Sequence, residues 1–250
     1  MMIDLPLGAV FQFLSIVAVG CYVQTVTGFA LGLTVMGGVA LLGVVPLNVA
    51  TAAVTLVSLV NTSFALKNNA GNIAFRYLII VVGMSLPFTW LGVWLLHYWQ
   101  GAGQLMLARR LLGGVIAICA ILFMLRPSAK PTPSSNSSFF VAGALAGFLG
   151  GMYATSGPPI VFHFYRQPWL REVIRDTLLA AFFLIATFRV IIAYTQDAVP
   201  IEAVGMAVYA VPVVLLFTWF AKRMPPKVSD ATLRRFVFAV LIFTGVALLV

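Results

Sequence analysis

Apolar residues run through this chain in eight long blocks separated by short polar breaks: 7–45, 47–66, 77–96, 105–125, 139–165, 177–194, 201–221 and 233–250. Six of the blocks are 18 to 21 residues long. An α-helix needs about 20 residues to cross a hydrocarbon core of ~30 Å. These six therefore predict ordinary transmembrane helices.

The first and fifth blocks, of 39 and 27 residues, are different. Each is interrupted near its middle. The first break is Gln24-Thr25-Val26-Thr27-Gly28, and the second is Ala154-Thr155-Ser156-Gly157-Pro158-Pro159. The proline pair removes two backbone donors and disfavours helix at Gly157 and Pro158. The fifth block is too long for one straight crossing and too short for two. The pattern predicts re-entrant hairpins that descend partway and return to the same side. The stretch 126–138, rich in Pro, Ser and Lys, divides the chain almost in half. Residues 1–125 then form a first membrane repeat, 126–138 a cytoplasmic linker and 139–250 a second membrane repeat. The predicted fold is an all-α polytopic membrane protein of two inverted repeats, each a broken re-entrant hairpin plus three transmembrane helices.

Loop charge supports the hairpins. If every block crosses once, the loop bases divide ten to four between the two sides. If the two broken blocks turn back, only Arg109 and Arg110 stay on one side, and twelve bases lie on the other. Basic loops mark the cytoplasmic side, so the second arrangement is preferred. It places both termini on the periplasmic side of an inner membrane. The segment 7–19 has the apolar look of a signal sequence, but no base precedes it and Asp4 has the wrong sign. It reads as a retained membrane segment.

Composition agrees. Hydrophobic residues make up 62% of the 250 positions and charged residues 8%, against roughly half and a quarter in soluble domains. Mean hydropathy is +1.07. That excludes a soluble enzyme, a disordered chain and a disulfide scaffold. The net charge of +9 is dispersed over short loops, which argues against nucleic acid. Cys21 and Cys119 lie in apolar blocks and read as small buried hydrophobes.

The candidate chemistry sits at the breaks. Hairpin tips near the middle of the bilayer expose backbone N–H groups and helix N-termini, which favour an anion. Thr25, Thr27, Thr155 and Ser156 add hydroxyls, and Gln24 adds an amide. Gly28 and Gly157 allow close approach to the backbone, with Pro158 beside them. Small residues also line helix interfaces in any membrane protein, so tight packing is the competing reading. Arg189 is the one base well inside an apolar block. It is either a countercharge for an anion or a side chain snorkelling to the interface. His163 follows the second break as a titrating or binding group, or as a structural histidine in a helix leg. His97 belongs to an aromatic belt with Tyr98 and Trp99, and Asn61 is a cross-helix bonding residue or a cavity liner.

Absences narrow the mechanism. No Asp or Glu falls within a predicted span, and Glu172 and Asp176 read as surface partners of Arg171 and Arg175. Six scattered acids, two His and two Cys predict no metal site and no cofactor. No Gly-Lys-Ser/Thr phosphate loop occurs, so ATP is not a direct driver.

The residues at the breaks resemble a known family. Gly28-Phe29-Ala30-Leu31-Gly32-Leu33 with Pro46-Leu47-Asn48-Val49-Ala50-Thr51, and the run from Gly147 through Gly150-Gly151 to Gly157-Pro158-Pro159, resemble the two repeats of the TauE/SafE family, the sulfite exporter or TSUP group. The Gln-Thr-Val-Thr-Gly turn departs from the glycine-rich first turn of many members. The resemblance implies secondary transport of small anions, such as sulfite, organosulfonates or related sulfur and carboxylate compounds, across a bacterial inner membrane. The expected partners are a small anionic substrate and membrane lipid, with a homo-oligomer left open. Alternating access around Gln24, Thr27, Gly28, Ser156, Gly157 and Arg189 is the first hypothesis. An anion channel of the same architecture is the alternative. A membrane enzyme would have to use His163 and Ser156, which the prolines separate.

Overall fold

The computed structural model describes residues 7–67, 72–124 and 130–224, with positions 239, 242, 245, 246, 248 and 249 beyond them. Among these residues all regular structure is helical. The helices are α1 (Leu7–Thr27), α2 (Leu31–Leu42), α3 (Leu47–Leu66), α4 (Phe75–Gly101), α5 (Leu105–Met124), α6 (Asn136–Tyr153), α7 (Gly157–Phe164), α8 (Arg171–Thr195) and α9 (Ile201–Arg223). Five of them, α1, α3, α4, α8 and α9, are long and apolar enough to cross a membrane. The block expected at 233–250 lies largely outside the described residues.

Both long blocks break where their small and polar residues fall. α1 stops at Thr27, and α2 starts at Leu31 after Gly28 (φ +82°) and Ala30 (φ +88°). α2 then folds back along α1: Gly20 lies against Leu31 and Val35, and Gly38 against Ile16. The second break ends α6 at Tyr153 through Ala154 (φ +53°). α7 returns along α6, bringing the Phe139 and Phe164 rings to 5.5 Å. One expectation is corrected here. Gly157, Pro158 and Pro159 are not excluded from helix but form the first turn of α7. Proline there forfeits no helical bond, and its fixed φ suits the position.

The hairpins open toward opposite ends of the bundle. The open end of α1–α2 lies with Val45 and Pro46 beside Asp197 and Glu202; we call this the acidic end. The open end of α6–α7 lies with the segment before α6, where the Arg166 carbonyl accepts the Lys130 N–H. At that same end the Lys222 ammonium donates to the Phe64 and Lys67 carbonyls that finish α3; this is the basic end. α3 and α8 run antiparallel between them. Arg189, late in α8, reaches Thr51, early in α3, while Thr177, early in α8, accepts the Ala74 N–H beyond α3.

Glycine sets the closest helix contact. Gly143, Gly147 and Gly151 recur every four residues on α6 and meet the Val81, Ser85 and Thr89 backbone of α4. Gly92 on α4 returns the contact against Phe148 and Met152. With no lipid-driven hydrophobic force between spans, such backbone approach supplies the van der Waals attraction that joins them. The outer helix faces carry apolar side chains, including Ile79, Leu145, Val208 and Leu216, as lipid contact requires.

Candidate functional site

The two hairpin tips meet. A β-carbon at Gly32, in the first turn of α2, would strike the Ala154 carbonyl and come within 3.1 Å of the Thr155 hydroxyl. Beside this contact lies a cavity of about 40 Å³. Gln24, Gly32 and Leu33 line it from the first hairpin, and Thr155, Ser156 and Gly157 from the second. Thr55 and Ser58 of α3 and Ile185, Ala186 and Arg189 of α8 complete its wall. Thr55 and Ser58 are at the middle of α3 and Ile185 and Ala186 just past the middle of α8, so the cavity sits near mid-height of the bundle.

Arg189 is 4% exposed. It does not snorkel, but turns inward toward the end of α6. Its Nε donates to the Gly150 and Gly151 carbonyls at 2.9 and 3.1 Å. Its Nη1 donates to the Thr55 hydroxyl at 2.8 Å and the Thr51 carbonyl at 3.3 Å. The break after Tyr153 leaves the last carbonyls of α6 short of helical donors, and a cation suits that helix C-terminus. None of its four partners is a carboxylate, and none of these bonds uses Nη2.

A second polar cluster lies on the basic-end side. Gln24 Oε1 accepts the Leu31 N–H at 3.1 Å, the first backbone donor of α2, and its Nε2 donates to Asn61 Oδ1 at 3.0 Å. Asn61 Nδ2 donates to the Thr25 and Thr218 hydroxyls at 3.2 and 2.7 Å. Asn61 is fully buried, so α1, α3 and α9 are joined by one amide.

Of the residues singled out from the sequence, Gln24, Thr155, Ser156, Gly157 and Arg189 line the cavity. Thr25, Thr27, Gly28, Pro158 and His163 do not. The Thr25 hydroxyl donates to the Cys21 carbonyl, and the Thr27 hydroxyl lies between the Val23 and Phe29 carbonyls. Both are consumed in shaping the turn. Gly28 packs on Arg175. His163 Nε2 lies 3.2 Å from the Ser138 hydroxyl, and the ring stands edge-on to Phe139, toward the basic end. Thr55 and Ser58 were missed. Their signal was a hydroxyl at every third or fourth position of one apolar helix: Thr51, Thr55, Ser58 and Thr62.

One further expectation changes. Asp176 is not a surface residue beyond a span. It lies inside α8, fully buried, 2.9 Å from Arg175 Nη2. His97 lines a vestibule of about 690 Å³ at the acidic end, with Asn48, Gln100, Asp197 and Glu202. Among the described residues, no three His, Cys, Asp or Glu side chains gather closely enough to hold a metal.

Ala30 and Ala154 both occupy the left-handed region, which costs an L-residue roughly 1–2 kcal/mol. Ala154 is the residue after α6, a position that glycine normally fills. Ala154→Gly is expected to raise stability by about 0.5–1 kcal/mol once the greater chain entropy of glycine is offset. A thermal shift assay in detergent checks this; an unchanged or lowered midpoint would count against strain at the tip.

Comparison with known proteins places this architecture. A family model described as "Sulfite exporter TauE/SafE" matches residues 12–248. A protein of Cupriavidus necator, named "Probable sulfite/organosulfonate exporter TauE", is 37% identical over 235 residues, covering 94% of this chain and 91% of that protein. No solved structure matches the chain. The match spans both hairpins and every described helix that lines the cavity, so the chain belongs to the sulfite exporter TauE/SafE family, a family of multi-pass membrane exporters and not of enzymes.

Proposed function

We propose that this protein exports a small oxyanion of the sulfite class, held in the central cavity between the two hairpin tips. One observation carries the reading: donors converge there without a balancing acid. The Ser58 and Ser156 hydroxyls line the cavity, and no hydrogen bond to another described residue engages either side chain. Arg189 lines the same space with its Nη2 left out of the bonds to α3 and α6, and the N-termini of α2 and α7 border it, adding positive dipole ends. Such a site binds anions by the same physics as any helix N-terminus, strengthened by one guanidinium.

Cavity size bears on the substrate. A site of about 40 Å³ is roughly three times the minimum needed for one water molecule. It suits a compact oxyanion, whereas an organosulfonate with a carbon chain requires it to widen. The Cupriavidus relative's name covers both kinds of anion, and the geometry favours the smaller. Alternating access is favoured over a channel because the cavity and the vestibule share no lining residue.

Orientation follows from charge. The basic end is cytoplasmic by the positive-inside rule, which puts the start of α1 and the vestibule outside. Lys67 and Lys222 at the basic end raise the local concentration of anions at the cytoplasmic mouth, and Asp197 and Glu202 at the other end disfavour anion re-entry. The opposed hairpins support two repeats of opposite orientation, each half contributing one tip.

The test is charge movement and tracer flux in proteoliposomes with sulfite, sulfate, thiosulfate, sulfoacetate, taurine and acetate. Saturable sulfite flux with counterflow is expected; flux that never saturates would indicate a channel. Ser156→Ala removes one donor to a charged ligand, worth about 1.5–3 kcal/mol. The apparent sulfite affinity should therefore fall by about ten- to a hundredfold. An unchanged affinity in that variant would remove Ser156 from the site.

A further inference from the structure

α3 can be read as a ruler. From its acidic end, Asn48 and Val49 line the vestibule. Thr51 and Thr55 hold Arg189. Thr55 and Ser58 line the central cavity. Asn61 follows, and the helix ends where Lys222 holds the Phe64 and Lys67 carbonyls. At 1.5 Å per residue, the Arg189 bonds lie about 9 to 15 Å along the axis from Asn61, and the cavity lies between.

We propose that Arg189 and Asn61 are paired locks on opposite sides of the central cavity, and that transport alternates by releasing one while the other holds. The proposal rests on the anion-transport reading above and adds to it which residues govern access from each side. Arg189 closes the acidic end by tying α8 to α3 and to the end of α6. Asn61 closes the basic end by tying α3 to α1 and α9. Each is buried and each bridges three helices, so neither side opens without breaking its bonds.

The two locks differ in what breaks them. Arg189 is held by three carbonyls and a hydroxyl, all neutral. These bonds are charged on the donor side only, whereas an oxyanion brings charge on the acceptor side as well and is the stronger acceptor for the guanidinium. An anion arriving in the cavity therefore competes with Thr51 and Thr55 for the guanidinium and loosens α3 from α6 and α8. The bonds of Asn61 are between amides and hydroxyls one turn further along; the anion meets this lock only through the neutral Gln24 amide, a weaker donor than the guanidinium, and so competes less strongly there. Loading from the basic end thus loosens the acidic-end lock selectively, the order that export requires.

Side-specific labelling tests this in the full-length protein. Cys21 and Cys119 are both buried; both are replaced by alanine, and Ala186→Cys in the cavity wall becomes the reporter. An impermeant cationic methanethiosulfonate is applied to right-side-out and inside-out membrane vesicles. Asn61→Ala is expected to speed labelling about tenfold or more from the basic face only, and Arg189→Gln by a similar factor from the acidic face only. Thr218→Val, which removes the Asn61 bond, and Thr55→Val, which removes the Arg189 bond together with the Thr55 hydroxyl's own donation to the Thr51 carbonyl, should show the same sidedness with smaller factors. They decide the matter if the stronger variants fail to fold. Acceleration from the same face for both locks, from both faces for either, or from neither would overturn the proposal. A purely structural role would loosen the bundle without sidedness. The anion reading stands or falls separately, on sulfite flux in the Ser156→Ala series.

Discussion

Gly147→Val is expected to leave little folded protein. A β-carbon at Gly147 would sit on the Ser85 carbonyl, with the Ser85 Cα at 2.7 Å. The obstacle is backbone, so no rotamer change relieves it, and α4 and α6 must separate. Overpacking that side chains can absorb costs roughly 1–3 kcal/mol. A backbone clash that also loosens the neighbouring Gly143 and Gly151 contacts exceeds that range. The control is Gly83→Val on α4, where a β-carbon meets nothing within 4 Å. The yield of monodisperse protein in mild detergent reads the result. A Gly147→Val protein that elutes and transports like its parent would refute the packing argument.

Arg189→Met should nearly abolish transport while changing stability much less. Hydrogen bonds to charged groups are worth about 1.5–3 kcal/mol each. Losing one such bond to the anion lowers affinity by about ten- to a hundredfold or more. Stability responds differently because burying an unpaired cation is itself costly, and removing it relieves that cost. The opposing loss is the set of bonds to Gly150, Gly151, Thr51 and Thr55. Arg189→Lys keeps the charge, but its single nitrogen cannot serve the α6 carbonyls and Thr55 together, so it should restore only part of the flux. Full sulfite flux in Arg189→Met would reduce Arg189 to a helix cap.

The hairpins were legible because apolar blocks tolerate few interruptions. A glycine, a proline pair or a cluster of hydroxyls within them has to mean a change of direction. Both breaks therefore fell within a few residues of their predicted places. Side-chain direction was not legible. Thr25 and Thr27 looked like ligand donors, yet a threonine near a helix end readily bonds the carbonyl four residues back. Thr55 and Ser58 looked like ordinary helix residues, and only the crossing of α3 over the tips gives them a cavity to line. Asp176 was misread because a hydropathy boundary drawn at Thr177 stops at the charge, while the helix continues through it to Arg171. His163, weighed as a binding group or as a structural histidine, sits in a helix leg against Ser138 and Phe139. Nearness to the break in sequence did not bring it to the cavity, because α7 leads away from the tip.

The glycine contact between α4 and α6 also bears on how the chain is made. α4 is complete at Gly101, but the helix that fills its backbone groove is not complete until Tyr153. At translation rates of about 5–20 residues per second, that leaves several seconds during which Val81, Ser85 and Thr89 present an unfilled groove to the insertion machinery. α3 waits longer still, since its Asn61 bond awaits Thr218. The amino-terminal half therefore leaves the ribosome as an open half-shell, and it reaches its final packing only as later helices thread into it.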